Sequence, residues 1–258
     1  MDILRKELNA IYQAQQLDSA TLPAQELQAC CAKVAAIAEV TGRCAVVTDV
    51  AADRSHLFPG SAGRIIGLVN APTCEAIQLA STDEDDLYLR LDPDDLAQKR
   101  LLEYEFFKFI DSLTPDRKLH YKAGCRLRIR CHDNKVRYFD NTTRMVGLAP
   151  SGKFWLILCQ YELSTNLTPS PDIDPCIINL LTADTFIPDI ATRRQSLLSS
   201  REKEVLCLIR DGHLSKEIAS MLSISIHTVN RHRQNILEKL SVDNSIEAIT
   251  AATQMKLI

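Results

Sequence analysis

The sequence predicts two domains of different class: an α+β domain with an antiparallel sheet and flanking N-terminal helices, then an all-α four-helix unit holding a helix-turn-helix. Three observations predict this. Apolar spacing changes from helical to strictly alternating after about residue 42 and returns to wholly helical near residue 197. A proline-bearing stretch, STNLTPSPDIDPC, lies between the two patterns. The 258 residues suffice for one large or two ordinary domains, since domains run ~100–200 residues.

Residues 1–42 carry Ile3, Leu4, Leu8, Ile11 and Tyr12, then Leu27, Val34 and Ile37, at helical spacing. A break from Ser19 to Pro23 divides them into two flanking helices, because proline suits a first helical turn. From Arg43 the segment CAVVTDV reads as a buried strand, and Ser55 to Gly63 as a short strand running into a turn. Residues 64–113 read as mostly helical around the acidic run STDEDDLYLRLDPDDL, a solvated loop and helix start. Asp92, just before Pro93, is placed to cap the next helix, with Asp94 and Asp95 in its electropositive first turn.

Residues 122–163 alternate. Cys125, Leu127, Ile129 and Cys131 share one face while Arg126, Arg128 and Arg130 share the other, the period-two mark of a half-buried strand. Asp133-Asn134 turns the chain, Val136 to Met145 returns, and KFWLILCQYEL makes a third strand. The domain thus spans 43–163. Residues 164–196 form a Pro-rich linker in which Ile177, Ile178, Leu180, Leu181 and Phe186 are suited to a small hairpin.

The C-terminal domain, 197–258, opens on Ser199-Ser200-Arg201-Glu202, a capping box in which serine and glutamate satisfy each other's orphan N–H groups. Val205, Leu208 and Ile209 form its apolar face, and Asp211-Gly212 ends the helix. A second helix is expected from about Ser215 to Leu222, a turn at Ser223-Ile224-Ser225, a third helix over about Ile226–Leu240 capped by Ser225, and a fourth from Asn244 or Ser245. Short helix, tight turn and longer polar helix describe a helix-turn-helix.

At about 100° per residue, Ile226, Val229, Ile236, Leu237 and Leu240 fall on the inner side of the third helix. His227, Arg231, Gln234 and Glu238 fall opposite, with Asn230 and Asn235 on the flanks. Asparagine and glutamine pair bidentately with adenine and arginine with guanine, so Asn230, Arg231 and Gln234 are the candidate base readers. Lys216, Thr228 and Lys239, with the N–H groups beside Ser225, suit phosphates, and His227 and Arg233 complete the candidate backbone contacts. His232 and Arg233 lean toward the apolar side, which reads as a core-edge histidine and an arginine whose stem packs.

Composition bounds the function. A net charge of −3 excludes a basic nucleic-acid coat, so a polyanionic partner must be reached by a local patch. Residues 192–258 hold ten Lys/Arg against seven acids, leaving the first 191 residues at −6. A surplus that small binds DNA weakly as a monomer, so a homodimer is expected. Ala248, Ala251 and Ala252 are small enough for a close symmetric contact, or else they pack on the first helix of the domain. The nine cysteines, Cys74 among them, are odd in number, lack any C-x-x-C and sit mostly among apolar residues, so they read as free thiols in a reducing cytoplasm. No apolar run approaches a membrane span, no secretory signal is present, and no membrane partner is expected.

The stretch LSSREKEVLCLIRDGHLSKEIASMLSISIHTVNRHRQNILEKLSVDNSIEAI resembles the DNA-binding domain of the LuxR/FixJ (NarL-like) bacterial transcription regulators. That resemblance implies a third helix lying in the major groove of double-stranded DNA, with Asn230, Arg231 and Gln234 on bases and Lys216 and Thr228 on phosphates. Asn230 departs from a common lysine, and Leu214 stands where a capping serine or threonine is usual. Residues 43–163, through DPDDL and the GCRLRIRCHDNKVRYF hairpin, resemble a PAS domain. The PAS likeness implies an unidentified small ligand or a protein partner as the signal, and dimerisation through an N-terminal flanking helix.

No cofactor signature is evident. The flavin-type segment is missing, and His56, His120 and His132 read as surface or structural residues. A phospho-receiver acceptor at Asp49 is disfavoured because the alternating βα pattern is absent. An acyl-homoserine-lactone module is disfavoured by the single tryptophan, Trp155. Enzyme motifs are missing. Arg126, Arg128 and Arg130 are expected on a solvent or dimer face balanced by Asp83 to Asp86. The expected function is a transcription regulator whose PAS-like domain modulates a DNA reader; the rivals are an adaptor with a degenerate helix-turn-helix and an N-terminal enzyme.

Overall fold

Residues 3–70, 73, 75–82, 84–240 and 242–258 are described by a computed structural model. Cys74 and Asp83 lie outside the described residues. Two compact units result: Ala10–Pro188, and Asp189–Ile258 together with the residues up to Asn9.

Helices α1 (Ile3–Ala14) and α2 (Ala24–Thr41) match the two flanking helices, separated by one 3-10 turn at Ser19–Thr21. Gly42, at φ 70°, takes the left-handed conformation that ends α2, and its N–H reaches the Ala38 carbonyl. Strands β1 (Cys44–Asp49) and β2 (Arg54–Phe58) follow, then α3 (Gly60–Ile66), β3 (Ile77–Leu79), α4 (Asp85–Tyr88), α5 (Pro93–Asp111) and α6 (Pro115–Lys118). Asp92 caps α5 by accepting from the Asp94 and Asp95 N–H groups, with Pro93 in the first turn. The long strands β4 (Tyr121–Arg130), β5 (Val136–Leu148) and β6 (Phe154–Leu163) complete the meander.

The sheet is larger than three strands and a hairpin. Strands β7 (Cys176–Asn179) and β8 (Thr185–Phe186) add to it, giving one eight-stranded sheet in the order β3-β2-β1-β6-β5-β4-β7-β8. Every neighbouring pair is antiparallel. The segment read as linker therefore carries two strands, with β7 covering the open edge of β4.

Register sorts the sheet into two faces. Ala45 lies opposite Phe58, and Val47 opposite Leu158; with Val34, Ala38 and the partly buried Leu27, Cys30 and Cys31 they form the cluster beneath α2. Cys44 lies opposite Tyr161, and Val46 opposite Leu57 and Cys159, on the other face. Asn141, Thr143 and Met145 continue that second face along β5.

Charge inside this unit lies where no periodicity points. Lys99 is 0% exposed and forms an ion pair with Glu103, one helical turn on. Its ammonium also lies 3.4 Å from the Tyr88 hydroxyl and 5.0 Å from the centre of that ring. Desolvation presses the Lys99 ammonium toward the neutral form, but Glu103, Tyr88 and Glu84 outweigh it and hold its pKa well above the ordinary value. Two arginines of β4, expected opposite Asp83 to Asp86, are paired instead with Asp92, Asp95 and Asp174. Arg128 meets Asp92 at 3.2 Å and also Asp95; Arg126, 7% exposed, meets Asp174 at 2.9 Å. Asp49 is likewise structural, accepting 2.8 Å from the indole N–H of Trp155 and capping the Ala51 and Ala52 N–H groups.

The second unit holds α7 (Ile190–Ser196), α8 (Ser200–Arg210), α9 (Ser215–Met221), α10 (Ile226–Leu240) and α11 (Ser245–Gln254). Helical structure begins at Ile190, earlier than residue 197, because Asp189 accepts from the Thr192 N–H and caps α7. Within the same unit Glu7 meets Arg193 at 3.1 Å.

Candidate nucleic-acid interface

Ser199 and Glu202 form the expected box. The serine hydroxyl accepts from the Glu202 N–H at 3.3 Å, and the carboxylate accepts from the Ser199 N–H at 2.7 Å. The same carboxylate accepts from Lys239 at 2.7 Å, which ties the start of α8 to the end of α10. Burial acts to raise the Glu202 pKa; Lys239 and Ser199 overcome it, leaving the carboxyl below its usual range. Lys239, a candidate phosphate contact, is thus engaged inside the unit. At α9 only half a box forms: Glu217 accepts from the Leu214 N–H at 2.8 Å, and leucine has no oxygen to return the bond.

Gly212, at φ 90°, ends α8. The turn between α9 and α10 requires φ 53° at Ser223, a conformation side chains rarely adopt. Ser225 then caps α10: its hydroxyl accepts from the Thr228 N–H at 3.0 Å and lies 2.8 Å from the Thr228 hydroxyl. Both α10 ends fall where the sequence put them.

Helix α10 packs on α8, α9 and α11 through Val229, Ile236 and Leu240. Ile226, expected on the inner side, is 45% exposed, whereas Val229 three residues on is buried. His227, Asn230, Arg231 and Gln234 are exposed together along the opposite face. Gln234 donates to Glu238 at 3.0 Å. Arg231, Asn230, His227 and Lys216 make no hydrogen bond or ion pair among the described residues. Four polar side chains therefore stand ready for an outside partner.

Arg233 differs. Its guanidinium donates to the Ser215 and Ser245 hydroxyls, each at 3.1 Å, bracing the starts of α9 and α11. His232 is half-buried and its Nδ1 has no partner among the described residues, consistent with a core-edge histidine. Ala248 and Ala252 are 0% exposed and pack within the unit, so of the three alanines only Ala251 retains any surface. Among the described residues no three His, Cys, Asp or Glu side chains cluster to hold a metal, and no helix is long and apolar enough to cross a membrane.

With this geometry in place, the GerE description of bacterial regulatory proteins, luxR family, matches residues 196–252. The C-terminal unit carries a LuxR-type helix-turn-helix. The transcriptional regulatory protein DesR of Bacillus subtilis is 54% identical over 57 residues, 22% of this chain and 29% of DesR. The transcriptional activator protein SolR of Ralstonia solanacearum is 34% identical over 82 residues, 32% of this chain and 35% of SolR. The chain thus spans about a third of the length of these relatives. A structure of the Vibrio cholerae VqmA dimer without target DNA covers 87% of both chains at 16% identity, with a TM-score of 0.32. The LuxR-type match begins at residue 196 and leaves the sheet unit to be read from its own residues.

Proposed function

We propose that the chain is a sequence-specific, double-stranded-DNA-binding transcription regulator that acts as a homodimer. Its α10 enters the major groove, Asn230, Arg231 and Gln234 read base edges, and Lys216, Ser225, Thr228 and His227 hold phosphates. Lys239 and Arg233 contribute mainly as struts, since Glu202 and the two serines already occupy them. The observation that carries this reading is the exposed, internally unpaired Arg231 between Asn230 and Gln234 on the outer face of a LuxR-type domain. The sheet unit is the regulatory half, a PAS-like domain that alters DNA binding in response to a small ligand or a protein partner.

Selection of bound duplexes from a random pool tests the proposal: one enriched, two-fold-related motif is expected, and absence of any shift at low salt leaves an adaptor instead. Lys216→Ala should weaken all duplexes about equally and shallow the salt dependence of binding by about one unit of slope.

A further inference from the structure

The face of the sheet opposite α2 contains a cavity of about 380 Å³ between β1–β3 and α4. Its apolar wall is made by Val46, Leu57, Leu68, Ile77 and Leu87, and its polar wall by Glu84. Glu84 is only 4% exposed. Its carboxylate accepts from the Tyr161 hydroxyl, which reaches it from β6, and it makes no ion pair among the described residues. Lys99, whose field acts on Glu84, is itself ion-paired with Glu103. Burial pushes the Glu84 carboxyl upward, against Lys99 and the Tyr161 bond, which lower it.

A buried carboxylate with only neutral donors is an incomplete arrangement, because a charge removed from water needs an opposite charge as well as hydrogen bonds. A volume near the lower end of the ~300–1,000 Å³ typical of ligand pockets suits a molecule of one ring or a short chain. Asp85 and Asp86 also line the cavity and bias its field toward cations, as does the excess of acids over bases in the first 191 residues. Carboxylate and phosphate ligands are disfavoured by the same field.

We propose that this cavity binds a small organic amine, its protonated nitrogen paired with Glu84 and its hydrocarbon body against Val46, Leu57, Leu68, Ile77 and Leu87. The proposal rests on reading the sheet unit as the regulatory half, and it names the class of signal. Lys99 and Glu103 pair with each other behind Glu84, which leaves Glu84 as the buried carboxylate of the cavity wall.

Isothermal titration of the full chain with benzylamine, 2-phenylethylamine and hexylamine, each beside its matching alcohol and carboxylate, tests this. At least one amine should bind, its alcohol should bind at least tenfold more weakly, and its carboxylate should not bind. Glu84→Gln should remove the preference for amine over alcohol, and Leu68→Trp, which fills the cavity, should weaken both. The wild-type comparison needs no variant, so a folding defect in either variant leaves the test intact. Equal affinity for amine and alcohol, no binding by any amine, or amine binding that survives both substitutions would each overturn the proposal. Gel shifts with the same samples separate the two readings: a chain that grips DNA and ignores all three amines remains a regulator without this site.

Discussion

Helices α5 and α10 are the longest helices of their respective units, and they treat charge in opposite ways. On α5, Asp95, Lys99 and Glu103 are buried and each has a partner, in Arg128 or in one another. On α10, Arg231 is exposed and unpaired among the described residues, with the amides of Asn230 and Gln234 beside it. Charges satisfied inside a unit hold it together, whereas unpaired ones on a rigid helix face are available to whatever arrives.

The largest effect expected from this contrast falls on α5. Lys99→Met should destabilise the sheet unit by ~3–5 kcal/mol in urea unfolding of the full chain, because Glu103 is left buried without its cation. Replacing both, Lys99→Met with Glu103→Leu, should recover most of that loss; a double variant as unstable as the single one would mean that the pair is not the unit of stability. On α10 the same kind of truncation should leave stability nearly unchanged. Arg231→Ala should instead cost ~1–3 kcal/mol at one base position of the selected site, read by competition gel shifts. Unchanged base preference would remove α10 from the groove.

Smaller effects sharpen the contrast within the C-terminal unit. Ser199→Ala removes the capping hydroxyl of α8 and should cost ~1 kcal/mol, visible as faster amide exchange in α8. The Glu202 carboxyl is held below its unfolded value of ~4.3, so its contribution is complete above that pH and is lost as acid protonates the folded form. The protection factors of amides in α8 and α10, with the intrinsic acid slowing of exchange divided out, should therefore fall as pH drops below about 4, and Lys239→Met should flatten that dependence.

Legibility in the sequence followed the range of the interactions that fix each element. The bounds of α10 are local matters, a serine cap and a 3.6-residue period, and Ile226–Leu240 emerged intact. The Asp92 cap of α5 and the Ser199–Glu202 box were legible for the same reason. Strand β3 is three residues beside an acidic loop and has no pattern of its own. The pairing of β7 with β4 joins residues some fifty positions apart, beyond any periodicity. Lys99 and Glu103 have the spacing of an ordinary solvated pair on a helix surface, and only the packing of α5 against the sheet reveals them as interior. Arg126 and Arg128 were rightly seen as one face of β4, but their carboxylates come from Asp174, Asp92 and Asp95. In the candidate interface, exposure of Asn230, Arg231 and Gln234 followed from the helical wheel; the engagement of Lys239 and Arg233 by other helices did not.

Trp155 is the sole tryptophan of the chain, 2% exposed, with its indole N–H on the Asp49 carboxylate. Its emission colour therefore monitors melting of the sheet unit alone, so a single optical trace follows that half of the molecule while the C-terminal unit, which has no tryptophan, stays dark.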